Sequence, residues 1–134
     1  MIYEKSEFHF GEDWVVPKGK LGYEMRVQGP IALEPGGFIL GRTQEVFCVP
    51  LGTILMIGGR STLARQGVGV HVSSCFIDPG FEGSVTLEVF NCGHEEVVLY
   101  PGDKAGNVLW FQCGLNIPKY EGKYQGQIDP GVAK

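Results

Sequence analysis

Turn signals recur along this chain at intervals of about ten residues, and that rhythm restricts it to short strands. Gly29-Pro30, Glu34-Pro35-Gly36-Gly37, Pro50-Leu51-Gly52, Gly58-Gly59, Asp78-Pro79-Gly80 and Pro101-Gly102-Asp103 each stop what precedes them. Between the stops lie apolar runs rich in Val, Ile, Leu and Phe, too short for stable helices. Strands are therefore expected at Tyr23–Val27, Ile31–Leu33, Phe38–Leu40, Val46–Val49 and Thr53–Ile57. Further strands are expected at Val68–Val72, Cys75–Ile77, Ser84–Phe90, Val97–Tyr100 and Val108–Phe111. One interval breaks the pattern. Ser61 stands where an N-cap belongs, Thr62 to Gln66 makes about one helical turn, and Gly67 ends it. The expectation is an all-β barrel or sandwich with one or two short helical turns. Residues 1–20 mix charges, aromatics and a Pro-Lys-Gly turn without a clean period, and are expected to form an edge strand or an arm.

At 134 residues the chain is one domain, large enough to bury a core without disulfides or metal. Its 21 glycines and 8 prolines suit many tight turns. A net charge of −4 argues against broad binding to nucleic acid or to an anionic membrane surface. No apolar run approaches the ~20 residues of a membrane span, and the first residues do not read as a signal peptide. Cys48, Cys75, Cys92 and Cys113 form no CxxC pair and sit in or beside apolar runs. Reduced, mostly buried thiols in a cytoplasmic protein are expected.

Three features between Gly59 and Asn91 could carry chemistry. Arg60, Ser61 and Arg65 surround a short helical start, whose free N–H groups and guanidinium charge suit a phosphate; a capped turn with two solvated arginines is the alternative. Glu88 lies inside an apolar strand in which Val85, Leu87 and Val89 share one face and Thr86, Glu88 and Phe90 the other. With the valine and leucine face in the core, Glu88 points to a cavity, an interface or solvent, and a raised pKa would suit it to proton transfer. Asp78 opens an Asp-Pro-Gly turn and could serve only that turn, or bind a sugar hydroxyl or a metal-bound water. Phe81 just beyond could lie against a sugar ring or belong to the core.

Other chemistries find no support. The chain lacks HxE with PCxxC, so zinc-dependent deamination is not expected. His9, His71 and His94 have no partner at metal-ligand spacing, no GxxxxGK[ST] loop occurs, and Ser61 has no Ser-His-Asp partnership.

The segments GRSTLARQG (59–67), HVSSCFIDPGFEGSVTLEVFN (71–91), LYPGDKAGNVLWF (99–111) and the tail KYQGQ (123–127) together resemble the dCTP deaminase branch of the dUTPase-like superfamily. The likeness covers roughly Pro35 to Gln127, and YEMRV at 23–27 is similar to an early element of the family. Ser74 stands where the family usually has Ala, and Asn107 where many members have Gln. A segment usual before the Pro35 region is missing.

The resemblance implies a distorted jelly-roll-like, dUTPase-type barrel forming a homotrimer with active sites between subunits. It implies zinc-independent hydrolysis of dCTP to dUTP and ammonia. Glu88 would move the protons, Ser61 and Arg65 would hold the water and leaving group, and Arg60 would bind phosphate beside Thr62, Leu63 and Ala64. Asp78 would bind the 3′-hydroxyl, Thr86 and Leu87 would flank the base near Ser74 and Asn107, and Tyr120, Lys123 and Gln127 would close over the triphosphate. Residues 115–134 would then be a flexible lid. Mg²⁺ would arrive with the triphosphate, without side-chain ligands, and dTTP would be a feedback inhibitor. The nearest alternative is a bifunctional relative that uses Asp78 in releasing dUMP and diphosphate. A dUTPase, whose C-terminal arginine motif is absent here, and a silent nucleotide-binding trimer are further alternatives.

Overall fold

The computed structural model describes residues 3–17 and 24–131. The Pro-Lys-Gly turn past Pro17, the start of the strand expected from Tyr23, and residues 132–134 lie outside them. The elements in order are β1 (Tyr3–His9), β2 (Asp13–Pro17), β3 (Glu24–Gln28), β4 (Ile31–Leu33), β5 (Phe38–Arg42) and β6 (Phe47–Cys48). β7 (Thr53–Gly59) leads into α1 (Ser61–Arg65), the one helix among the described residues. There follow β8 (Val68–Gly69), β9 (Phe76–Ile77), β10 (Glu82–Gly83), β11 (Thr86–Asn91), β12 (Val97–Leu99) and β13 (Lys104–Gln112).

The strands form one four-stranded sheet ordered β1-β13-β7-β9 and one five-stranded sheet ordered β3-β2-β5-β11-β8. Two small pairs, β10 with β6 and β12 with β4, complete the described residues, and every strand pairing is antiparallel. The architecture is therefore mostly β, as expected, but its sheets are separate and distorted rather than closed into a barrel. The core between them is built from Phe8, Trp14, Leu33, Leu55, Ile57, Leu87, Val89, Leu99 and Val108. Each such side chain contributes about 1.5–3 kcal/mol on leaving water.

Four expectations need correction. The N-terminal segment holds two strands, and only β1 is an edge; β2 lies between β3 and β5. Phe8, Phe10, Trp14 and Val15 are all in the core, an apolar alternation that the surrounding Glu7, His9, Glu12 and Asp13 disguise. β7 runs on through Gly58 and Gly59, because these two pair with Asn107 and Gly106 of β13; the close approach there is at Gly106, where a Cβ would meet the Gly58 carbonyl and the Phe8 ring, whereas Gly58 itself has open space. The N-cap of α1 is Arg60, not Ser61. Arg60 is extended (φ −77°, ψ 134°) and its carbonyl accepts the Ala64 N–H at 2.9 Å, so Ser61 is already helical and no side chain caps the helix. The cysteines are free as expected, but Cys48 and Cys92 are exposed and Cys75 and Cys113 only half-buried. Cys48 ends the two-residue strand β6, while Cys75, Cys92 and Cys113 stand just beyond strand ends, where Cys75 alone still packs against the core.

No helix among the described residues is long and apolar enough to cross a membrane.

Candidate active site

β11 presents the period-two pattern that its sequence dictates. Leu87, Val89 and Asn91 point into the core, while Thr86, Glu88 and Phe90 point the other way. Glu88 lies opposite Leu40 of β5 and opens into a cavity of about 670 Å³. Burial raises its pKa above the usual carboxylate range; hydrogen bonding by the backbone N–H groups of Val72 and of Glu88 itself offsets part of that shift. A carboxylate held this way is supported when charged yet protonates more readily than one in water. It is suited to accept and return a proton.

Asp78 and Ser74 reach the same cavity from the segment on either side of β9, and Thr86 joins from β11. The Asp78 turn is tight. Phe81 N–H returns to the Asp78 carbonyl at 3.2 Å, and Gly80 takes φ 87°, which a side chain would disfavour. The remaining wall is apolar, built from Pro17, Phe38, Leu40, Phe76, Ile77, Phe81 and Val85.

The C-terminal tail covers one side. Tyr120 N–H donates to the Pro79 carbonyl at 2.7 Å, Gly126 N–H to the Glu82 carbonyl at 2.7 Å and Ser84 N–H to the Gln127 carbonyl at 2.9 Å. Tyr120, Tyr124 and Gln127 thereby line the cavity, with the Tyr120 ring edge-on to Phe81 at 5.5 Å. The tail has no regular strand, as expected, yet it is docked on the Asp78–Thr86 segment through to Gly131, whose N–H donates to Thr86 Oγ1 at 3.4 Å.

The structure thus brings together Ser74, Asp78, Thr86, Glu88, Tyr120 and Gln127. It does not bring Arg60, Ser61, Thr62, Leu63, Ala64 or Arg65 to this cavity. Those residues stand at α1, where Ser61, Thr62, Ala64 and Arg65 are exposed and Leu63 packs on the core. Leu87 is 0% exposed and faces away from Glu88, so only its backbone can meet a ligand there. Asn107 sits on β13 opposite Gly58, with its Oδ1 buried and unpartnered among the described residues. Lys123 is exposed in the tail, its Nζ 5.7 Å from the Tyr124 ring centroid. Among the described residues the cavity lining therefore holds two carboxylates and no lysine or arginine.

Sequence reasoning missed Tyr124, Gly131 and the apolar wall apart from Phe81. Tyr124 was legible as part of KYQGQ. Phe38 and Phe76 carry no such mark, because an aromatic in a short strand reads as core until its face is known. Among the described residues no group of three or more His, Cys, Asp or Glu side chains is arranged to hold a metal ion.

A family model described as dCTP deaminase-like matches residues 22–113. A relative from Nocardioides sp. named "dCTP deaminase, dUMP-forming" is 40% identical over 107 residues, covering 75% of this chain and 56% of the relative. One of the same name from Methanosphaera stadtmanae is 37% identical over 111 residues, covering 78% of this chain and 56% of the relative. The chain spans a little over half the length of these curated relatives. Among solved structures, 2′-deoxycytidine 5′-triphosphate deaminase from Agrobacterium tumefaciens aligns with a TM-score of 0.66 at 14% identity, over 79% of this chain and 38% of that one. The native dUTPase of EIAV aligns with a TM-score of 0.59 at 18% identity, over 92% of this chain and 99% of that one. Both likenesses concern the fold.

Proposed function

The chain belongs to the dCTP deaminase-like family, and from that premise we propose that it hydrolyses dCTP to dUMP, ammonia and diphosphate. The observation that carries the proposal is the single cavity in which the partly desolvated Glu88 and the turn-borne Asp78 share a wall. Relatives whose names specify dUMP as product favour this over the release of dUTP, which the sequence had put first.

In the deamination step Glu88 takes a proton from the water attacking C4, and the new C–O bond makes C4 tetrahedral. The carboxyl group passes that proton to the ring nitrogen, takes the second from the new C4 hydroxyl and hands it to the amine, and the C–N bond breaks as the C4 carbonyl forms and ammonia leaves. In the second step Asp78 orients a second water, whose oxygen bonds to the α-phosphorus and whose proton passes to solvent, while the bond from the α-phosphorus to the oxygen bridging to the β-phosphate breaks and diphosphate leaves. The apolar wall excludes other water from the base.

An acidic cavity cannot by itself neutralise a triphosphate. We therefore assign that task to Mg²⁺ arriving with the nucleotide and to Arg60 of a neighbouring copy in a homotrimer, whose Ser61 and Arg65 would hold the water and the leaving group. Both carboxylates in the lining, and the position of Arg60 and the exposed Arg65 away from it, support that assignment. Lys123 would add charge from the tail.

The test is direct. Purified protein is incubated with dCTP and Mg²⁺, and ammonia, dUTP, dUMP and diphosphate are resolved. Ammonia with dUMP and diphosphate is the expected outcome. Ammonia with accumulating dUTP would reduce the function to deamination alone, and no turnover of dCTP or dUTP would remove it.

A further inference from the structure

Gln125 is an exposed tail residue whose side chain nevertheless makes three hydrogen bonds. Its Oε1 accepts the Glu82 N–H at 2.8 Å, and its Nε2 donates to the Gly80 carbonyl at 2.9 Å and to the Tyr120 carbonyl at 3.2 Å. Gly80 and Glu82 belong to the segment that follows Asp78; Tyr120 belongs to the tail. Gln125 is outside the cavity lining, whereas Tyr120, Tyr124 and Gln127 are part of it.

We propose that Gln125 is a positioning residue: its amide ties the C-terminal tail to the turn that carries Asp78, and so sets Asp78 and Tyr120 at a fixed spacing for a bound nucleotide. The chemistry demanded of position 125 is specific. One backbone N–H needs an acceptor and two carbonyls need a donor, which an uncharged primary amide supplies from one planar group. A carboxylate keeps the acceptor but turns oxygen against both carbonyls, and an apolar chain of equal length supplies neither. The surface beneath is shaped for the same close approach. A Cβ at Gly80 would meet Lys119 and the Tyr120 backbone, and one at Gly83 (φ 143°) would meet the Gln127 backbone. Tail side chains bond this segment at Gln125, to Gly80 and Glu82, and at Gln127, to Ser84; of these, Gln125 stands outside the cavity lining and can act on the site only by holding the tail in place.

The tether is a statement about this chain alone, while its bearing on nucleotide affinity rests on the function proposed above. Two measurements separate them. Trypsin cleavage after Lys119 and Lys123 reads tail docking in the nucleotide-free protein, and Kd for dCTP with Mg²⁺ reads positioning. Gln125→Met is expected to speed cleavage by at least about fivefold, the weight of one net hydrogen bond, with an unchanged melting temperature. Gln125→Glu, which retains the acceptor, is expected to do the same at pH 8, and both variants should raise Kd by about fivefold or more. Cleavage of Gln125→Met at the parental rate overturns the proposal, and so does faster cleavage with an unchanged Kd. Failure of the parent protein to turn over dCTP, with both Gln125 effects present, sinks the catalytic reading and leaves the tether standing.

Discussion

Ser84 and Gln127 hold each other three times: the Ser84 N–H donates to the Gln127 carbonyl at 2.9 Å, the Ser84 hydroxyl donates to the same carbonyl at 3.5 Å, and Gln127 Nε2 donates to the Ser84 carbonyl at 3.1 Å. Ser84 is almost wholly buried, two residues before the strand that carries Glu88. The tail is therefore joined to the element that carries the chemistry, not merely laid over it. Gly83 is the pivot of that joint, with φ 143° and no space for a side chain beneath Gln127. Gly83→Ala should cost about 1–3 kcal/mol through backbone strain and raise KM for dCTP by undocking the tail. Urea unfolding and steady-state kinetics together check it; an unchanged midpoint and KM would contradict it.

Glu88→Gln should bind dCTP but lose ammonia release by about 10²–10⁴-fold, the usual worth of a positioned acid-base group. Calorimetry and ammonia assays distinguish the two effects. Because burial holds the Glu88 pKa above the ordinary range, the acid limb of the parent's kcat–pH profile should fall at a pH above that of an exposed carboxylate.

The same shift has a consequence for stability, and its sign is opposite to that of a salt-bridged acid. The native state binds the Glu88 proton more tightly than the unfolded chain does, so stability falls as pH rises from the ordinary carboxylate value through the raised one. Glu88→Gln removes that penalty. At neutral pH its melting temperature should exceed the parent's by roughly 1–3 °C, with no difference at pH 3. Scanning calorimetry at the two pH values is the check, and an equal or lower melting temperature at neutral pH would refute it.

Asp78→Asn should separate the two half-reactions. If Asp78 orients the water for the α-phosphate, ammonia release persists while diphosphate release drops by about 10²-fold or more, and dUTP accumulates. Chromatography of the products reads this directly. Equal loss of both products would assign Asp78 to substrate binding instead.

If Arg65 acts on a neighbouring copy's cavity, Glu88→Gln and Arg65→Ala should each be inactive alone and recover activity when co-refolded. Random assembly in a ring predicts about a quarter of parental activity. Recovery after mixing, measured against either variant alone, is the readout.

Much of the site was legible because it rests on local rules. Alternation along Ser84–Phe90 separates Leu87 from Glu88 without any knowledge of the fold, and Asp-Pro-Gly announces a turn wherever it lies. What stayed hidden depends on partners distant in sequence. Trp14 is 1% exposed, with its Nε1 donating to the Gly29 carbonyl at 2.8 Å, yet its neighbours Glu12 and Asp13 make the segment read as surface. Phe76 is 60% exposed, and only the cavity beside it explains an aromatic there. The Gln125 bonds to Gly80 and Glu82 span more than forty positions, a separation at which composition carries no signal.

The pairing of β1 with β13 has a consequence for how this molecule is made. Tyr3 lies opposite Phe111, and Trp110 Nε1 reaches Ser6 Oγ at 3.4 Å across 104 positions. β13 also separates β1 from β7 and is the last strand among the described residues. While it emerges from the ribosome, both of its neighbours wait with open edges. The four-stranded sheet can close only after translation has passed Gln112, and until then the edges of β1 and β7 that face β13 stay unpaired.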